Sequence, residues 1–156
     1  MEVIRHTTEL RHYSSVNELS KPHAALLAEA ARVAGQAYAP YSNYQVGCAI
    51  ELANGEIICG SNQENASFPA GTCAERSALF YAGSRYPGVA IVRVAVTTLF
   101  PAADPVAPCG ICRQALLEYE NRQDHPIELL MSHPGGRVYV SDSVANILPV
   151  FFRYKK

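Results

Sequence analysis

Two short stretches of this chain must end up side by side, and that requirement narrows its fold more than any other feature. The first is Gly71-Thr72-Cys73-Ala74-Glu75-Arg76, which opens a helical run through Ser77-Ala78-Leu79-Phe80-Tyr81-Ala82. The second is Pro108-Cys109-Gly110-Ile111-Cys112, which opens another. A helix start gathers unpaired N–H groups and the positive end of the helix dipole, and both stabilise thiolates. Two such starts facing each other put three sulfurs around one point, with Glu75 beside them. Three protein ligands plus a water is the open arrangement of a catalytic Zn²⁺, whereas a structural zinc takes four. Such a metal lowers the pKa of its water toward neutrality. Glu75 is then oriented to act as general base and acid without being a ligand. Arg76, one turn beyond Cys73, offsets part of the negative charge of three thiolates.

The same cysteines admit two plainer readings. A Cys-x-x-Cys pair at a helix start also serves redox chemistry. Against that, the pair comes late in the chain, Trp is absent, and Cys73 has no part to play. A structural four-cysteine zinc needs Cys48 or Cys59 as its fourth ligand. Cys48 falls among Val46, Ala49 and Ile50 and reads as a buried core thiol, Cys59 closes the next strand, and Glu75 and Arg76 then have no purpose.

The apolar share of 49% and charged share of 17% over 156 residues are those of one ordinary globular domain. Net charge is −1, and Lys155-Lys156 is the only block of like charge. A basic footprint for nucleic acid is therefore missing. The apolar runs are too short to span a bilayer. Met1 to His6 lacks the basic and apolar regions of a signal peptide. The expected setting is cytoplasmic, with no membrane partner, where five cysteines act as thiols or metal ligands.

Residues 1–19 read as an extended arm or short strand, and 20–156 as the catalytic domain. Ser20-Lys21-Pro22 caps and starts a helix with an apolar stripe at Ala24, Leu27, Ala30, Ala31 and Ala34. Strands over 45–52 and 56–60 flank the hairpin signal Asn54-Gly55. The first cysteine helix is expected to end near Gly83 and Pro87. Residues 89–98 are nearly all apolar, as in a strand covered on both faces. The second cysteine helix covers about 110–121, strands follow over 127–131 and 137–141, and 143–148 reads as a short closing helix. Only a few residues join the last two strands, and a parallel crossover needs a dozen or more, so this pair is antiparallel. The expected fold is α/β: a three-layer α/β/α sandwich on one mixed five-stranded sheet.

Taken together, Cys73-Ala74-Glu75-Arg76, Pro108-Cys109-Gly110-Ile111-Cys112-Arg113-Gln114, Tyr41-Ser42-Asn43-Tyr44-Gln45-Val46-Gly47 and Asn62-Gln63-Glu64-Asn65-Ala66-Ser67 resemble the small cytidine deaminases of the homotetrameric type. The resemblance runs from about Pro22 to Phe152. It implies one Zn²⁺ per subunit on Cys73, Cys109 and Cys112, with Glu75 carrying protons to the ring N3 and the leaving amine. It implies that the N–H of Ala74 meets the pyrimidine O2 and that Asn62 and Glu64 grip the ribose 3′-hydroxyl. Residues two apart in an extended segment do point the same way. Tyr44 matches an aromatic packed near the base, and Phe152 one that reaches a neighbouring subunit's site. The implied reaction turns cytidine and deoxycytidine into uridine and deoxyuridine plus ammonia, as in pyrimidine salvage. Cysteine rather than histidine ahead of Ala74-Glu75 separates the chain from deaminases of tRNA, DNA or free bases. Val150 and Phe151, where the family has small residues, and Gln63, where it has an apolar one, are departures. The alternatives are a deaminase of a blasticidin-type aminonucleoside or modified cytidine on the same scaffold, and a non-catalytic zinc-stabilised assembly protein.

Overall fold

Helix α1 (Lys21–Ala34) begins where Ser20 Oγ accepts from the N–H of His23 at 3.5 Å, with Pro22 in its first turn. Its apolar stripe buries Leu26, Leu27, Ala30, Val33 and Ala34. The chain then forms β2 (Val46–Leu52), turns at Asn54-Gly55, where Gly55 takes a φ of +86°, and returns as β3 (Ile57–Ser61). Helix α2 (Ala74–Arg85), β4 (Ile91–Thr98), α3 (Gly110–Glu120), β5 (Glu128–Ser132) and β6 (Val138–Ser141) follow. This computed structural model describes residues 1–154, so the Lys155-Lys156 pair lies outside the described residues.

Among the strands of the described residues only β4 and β5 pair in parallel, because the connection through α3 carries the chain back to the end from which β4 started. The β5–β6 pair is antiparallel, as the short connection requires. Helix α1 covers one face, against Ala49, Ala95, Leu130, Val138 and Val140. Helices α2 and α3 cover the other, against Cys48, Ile50, Val94, Val96, Leu129 and Met131. Successive residues of β2 and β4 thus feed opposite cores, which is why β4 is apolar nearly throughout. No helix is long and apolar enough to cross a membrane among the described residues.

Two expectations need correcting. The sheet has six strands, not five, in the order β1-β6-β5-β4-β2-β3, because Arg11–Tyr13 forms β1 along the outer edge of β6. Arg11 anchors it through ion pairs to Glu128 and Asp142. Asn146 anchors it through a bond to the carbonyl of Glu9 at 2.6 Å. Secondly, 143–148 forms only a single 3₁₀ turn, Ala145–Ile147. Pro149 disfavours the helical region for the residue before it, and Leu148 sits at φ −136°, ψ 73°.

Gly60 decides how closely α2 can approach. A Cβ there would lie 2.5 Å from the Ala78 nitrogen and 2.8 Å from the Ala74 carbonyl oxygen, both backbone atoms. Gly60→Ala should push the first turn of α2 off the sheet at a cost of about 1–3 kcal/mol. Cys73 caps that turn, so bound zinc and the unfolding midpoint should fall together. Scanning calorimetry with metal analysis checks this; a lowered midpoint with full zinc would show that the turn stays in place.

Candidate metal centre and active site

Cys73 is the N-cap residue of α2, Cys109 is the N-cap residue of α3, and Cys112 lies in the first turn of α3. Neither cap residue spends its side chain on a capping hydrogen bond. The three sulfurs lie within 4.8 Å of one another, with Cys73 and Cys109 at 4.0 Å. Tetrahedral zinc with Zn–S bonds of about 2.3 Å separates its sulfurs by about 3.8 Å, so the cluster fits the ion. Arg76 adds a second sign of fit. Its guanidinium is directed at Cys73 and Cys112, and its Nε is buried with no N or O acceptor. A cation in that position suits a cluster carrying net negative charge.

The hydrogen bond from Cys112 draws the Cys73 thiol down to about 5, against the effect of burial, and Arg76 and Cys109 add to it. The neighbouring Cys73 sulfur and burial push the Cys112 thiol up. Glu75, only 4% exposed, has its carboxyl pushed up by burial.

A cavity of about 700 Å³ reaches Cys73, Ala74, Glu75, Arg76 and Cys109, a size that suits a small organic ligand. Asn62, Glu64 and Tyr44 line it as well. The Asn62 amide accepts from the N–H of Val46 at 2.8 Å and donates to the carbonyl of Tyr44 at 2.9 Å. Glu64 accepts from the N–H groups of Tyr41 (2.8 Å) and Ser42 (3.3 Å) and from the Ser42 hydroxyl. The hydroxyl first, then the Tyr41 N–H, hold its carboxyl below the usual range. Both side chains therefore brace the loop before β2, where Asn43 takes a φ of +56°. Each keeps a little capacity: one amide hydrogen and one oxygen lone pair on Asn62, and one lone pair on Glu64. The Tyr44 ring tilts at 41° against Phe100, centroids 5.2 Å apart. Phe152 does not line this cavity. It is 71% exposed, and its backbone pairs with the Gln114 amide at 3.0 and 3.3 Å.

Sequence reasoning missed Tyr41 and Phe68 as lining residues; their rings meet edge to face at 6.0 Å. The available signal was two large aromatics in polar loops, where burial alone would not put them. Val106 and Ala107, between two prolines, were missed too, and nothing in their residue types marks them.

A family profile described as "Cytidine and deoxycytidylate deaminase zinc-binding region" matches residues 20–123. The cytidine deaminase of Halalkalibacterium halodurans is 46% identical over 95 residues, covering 60% of this chain and 68% of that protein. Among solved structures, the cytidine deaminase of Burkholderia pseudomallei superposes with a TM-score of 0.74 at 36% identity, covering 86% of this chain and all of that one. The Mycobacterium tuberculosis cytidine deaminase superposes at 0.65 with 30% identity, covering 83% and 96%. The zinc-binding region is carried here by the Cys73, Cys109 and Cys112 triad. The chain thus belongs to the family of cytidine and deoxycytidylate deaminases that share this zinc-binding region.

Proposed function

We propose that this chain is a zinc-dependent hydrolase that deaminates cytidine and deoxycytidine to uridine and deoxyuridine, releasing ammonia, as in pyrimidine salvage. The observation that carries the proposal is a buried carboxylate, Glu75, beside three clustered sulfurs at a cavity of about 700 Å³. Its relatives at 46% and 36% identity are cytidine deaminases. Zinc, when bound, supplies a water activated at neutral pH. Cys73, Cys109 and Cys112 leave one coordination position free for it. Glu75 would pass one proton of that water to the ring N3 as the water oxygen bonds to C4, and would then pass the proton of the new C4 hydroxyl to the amine, so that the C4–N bond breaks and ammonia leaves behind a C4 carbonyl. Ala74 opens α2, so its N–H has no acceptor within the helix and donates to the pyrimidine O2. The spare hydrogen of Asn62 and lone pair of Glu64 take the ribose 3′-hydroxyl, and Tyr44 packs near the base.

A free nucleoside suits the charge of the cavity better than a nucleotide. Glu64 and Glu75 are acidic, and the guanidinium of Arg76 is committed to the sulfurs. The proposal includes a homotetramer in the cytoplasm. Helices α2 and α3 leave Phe80, Tyr81 and Ile111 exposed, and the tail leaves Val150 and Phe152 exposed, an apolar surface that assembly would cover. Phe152 would then reach a neighbour's cavity. The five free thiols suit a reducing compartment.

The test is ultraviolet turnover of cytidine, deoxycytidine, cytidine 5′-monophosphate and a blasticidin-type aminonucleoside by zinc-loaded protein. Turnover of the first two and none of the monophosphate is expected. No turnover of cytidine would sink the substrate assignment, and turnover of the aminonucleoside alone would move it to that class.

A further inference from the structure

Between β4 and α3, residues 99–108 form a strap whose Val106 and Ala107 line one wall of the cavity. Pro101, Pro105 and Pro108 remove three N–H donors from it. Among the described residues, 100–105 form no backbone–backbone hydrogen bond. Side chains therefore hold this segment: Thr98 Oγ1 accepts from the N–H of Phe100 at its start, at 3.0 Å, and two side chains of the neighbouring strand region meet Asp104 at its middle. Its Oδ1 accepts from Arg137 Nη1 at 2.9 Å and from the Tyr139 hydroxyl at 3.2 Å. Arg137 Nη1 also donates to the carbonyl of Ala103 at 3.3 Å. Two residues on, the N–H of Val106 donates to the carbonyl of Ser132 at 3.1 Å, and Val106 and Ala107 face the cavity.

We propose that Asp104, clasped by Arg137 and Tyr139, is a positioning residue that sets the cavity wall at Val106 and Ala107 and thereby the affinity for nucleoside. The inference rests on the nucleoside reading above. Asp104 and Arg137 are 65% and 43% exposed, so salt weakens their pair and its own contribution is small. The Tyr139 ring, packed against the core, supplies the fixed point. Once unclasped, the strap has to be ordered by the ligand, a cost that falls on binding and not on chemistry. The metal ligand is secured separately. Arg113 Nε donates to the carbonyl of Pro108 at 2.7 Å, and its Nη1 donates to that of Ile147 at 3.0 Å. Release of Asp104 therefore leaves Cys109 in place.

The test measures KM and kcat for cytidine, the Kd of uridine by titration calorimetry, and zinc content, for wild type, Asp104→Ala, Tyr139→Phe and Arg137→Lys. Asp104→Ala should raise KM and the uridine Kd together, by about three- to tenfold. Its kcat should stay within about twofold and its zinc should be unchanged. Arg137→Lys keeps the charge and should retain most of the affinity. Unchanged KM and Kd in Asp104→Ala would overturn the proposal, and so would a fall in kcat or zinc that matches the loss of affinity. A wild type that neither turns over cytidine nor binds uridine would overturn the nucleoside reading itself, and this inference with it.

Discussion

Glu75→Gln is expected to lower kcat for cytidine by about 10²–10⁴-fold while the protein keeps one zinc per chain. The amide has the shape of the carboxylate, fits the same buried site, and cannot accept and return a proton at neutral pH. Among the described residues, the group able to hold a metal consists of the three cysteines alone, so the substitution removes no ligand. Stability should not drop either, since a neutral amide is easier to bury than a carboxylate. Stopped-flow and steady-state turnover, with metal analysis on the same sample, separate the possibilities. A variant retaining more than a tenth of kcat would remove Glu75 from the chemistry. A variant that lost its zinc would make it part of the metal site instead.

Cys112→Ala should act on the other half of the site. Cys112 is fully buried in the first turn of α3, so no water or neighbouring side chain can easily take its place. Loss of even an outer-shell partner of a metal commonly costs 10–100-fold in affinity, so removal of a ligand should cost at least about 100-fold. Zinc binding is linked to folding, so the unfolding midpoint should fall with it. The variant should bring less than stoichiometric zinc through purification and show no cytidine turnover above background. Competition with a colorimetric chelator gives the affinity directly. Wild-type affinity in Cys112→Ala would mean that the ion is held by a different set of residues.

The parts of this molecule that could be read from sequence are those where the chemistry is local. Cys73 and Cys109 announce themselves because a cap position and a thiolate ligand make the same demand on the backbone, and both turn out to be N-caps. The uniform apolarity of β4 reports two covered faces, and the short link after β5 dictates a hairpin. What stayed hidden depends on partners distant in the chain. A short strand is one of two readings of 1–19, but the place of Arg11–Tyr13 at the outer edge of β6 is fixed by Glu128, Asp142 and Asn146. Gly83 helps to place the end of α2, yet that the space it leaves is taken by Tyr119 shows only in the folded chain. Asn62 and Glu64 were legible as a pair facing one way. That their polar atoms also hold the backbone of residues 41–46 follows only from the folded geometry.

One zinc ion on these three cysteines makes this chain a cytidine deaminase. The most direct test is a zinc titration of metal-stripped protein, followed by the absorbance change as cytidine becomes uridine. Activity should rise linearly with added zinc and level off at one equivalent per chain. Turnover in stripped protein that zinc does not increase would contradict the account, and so would a fully loaded protein that leaves cytidine untouched.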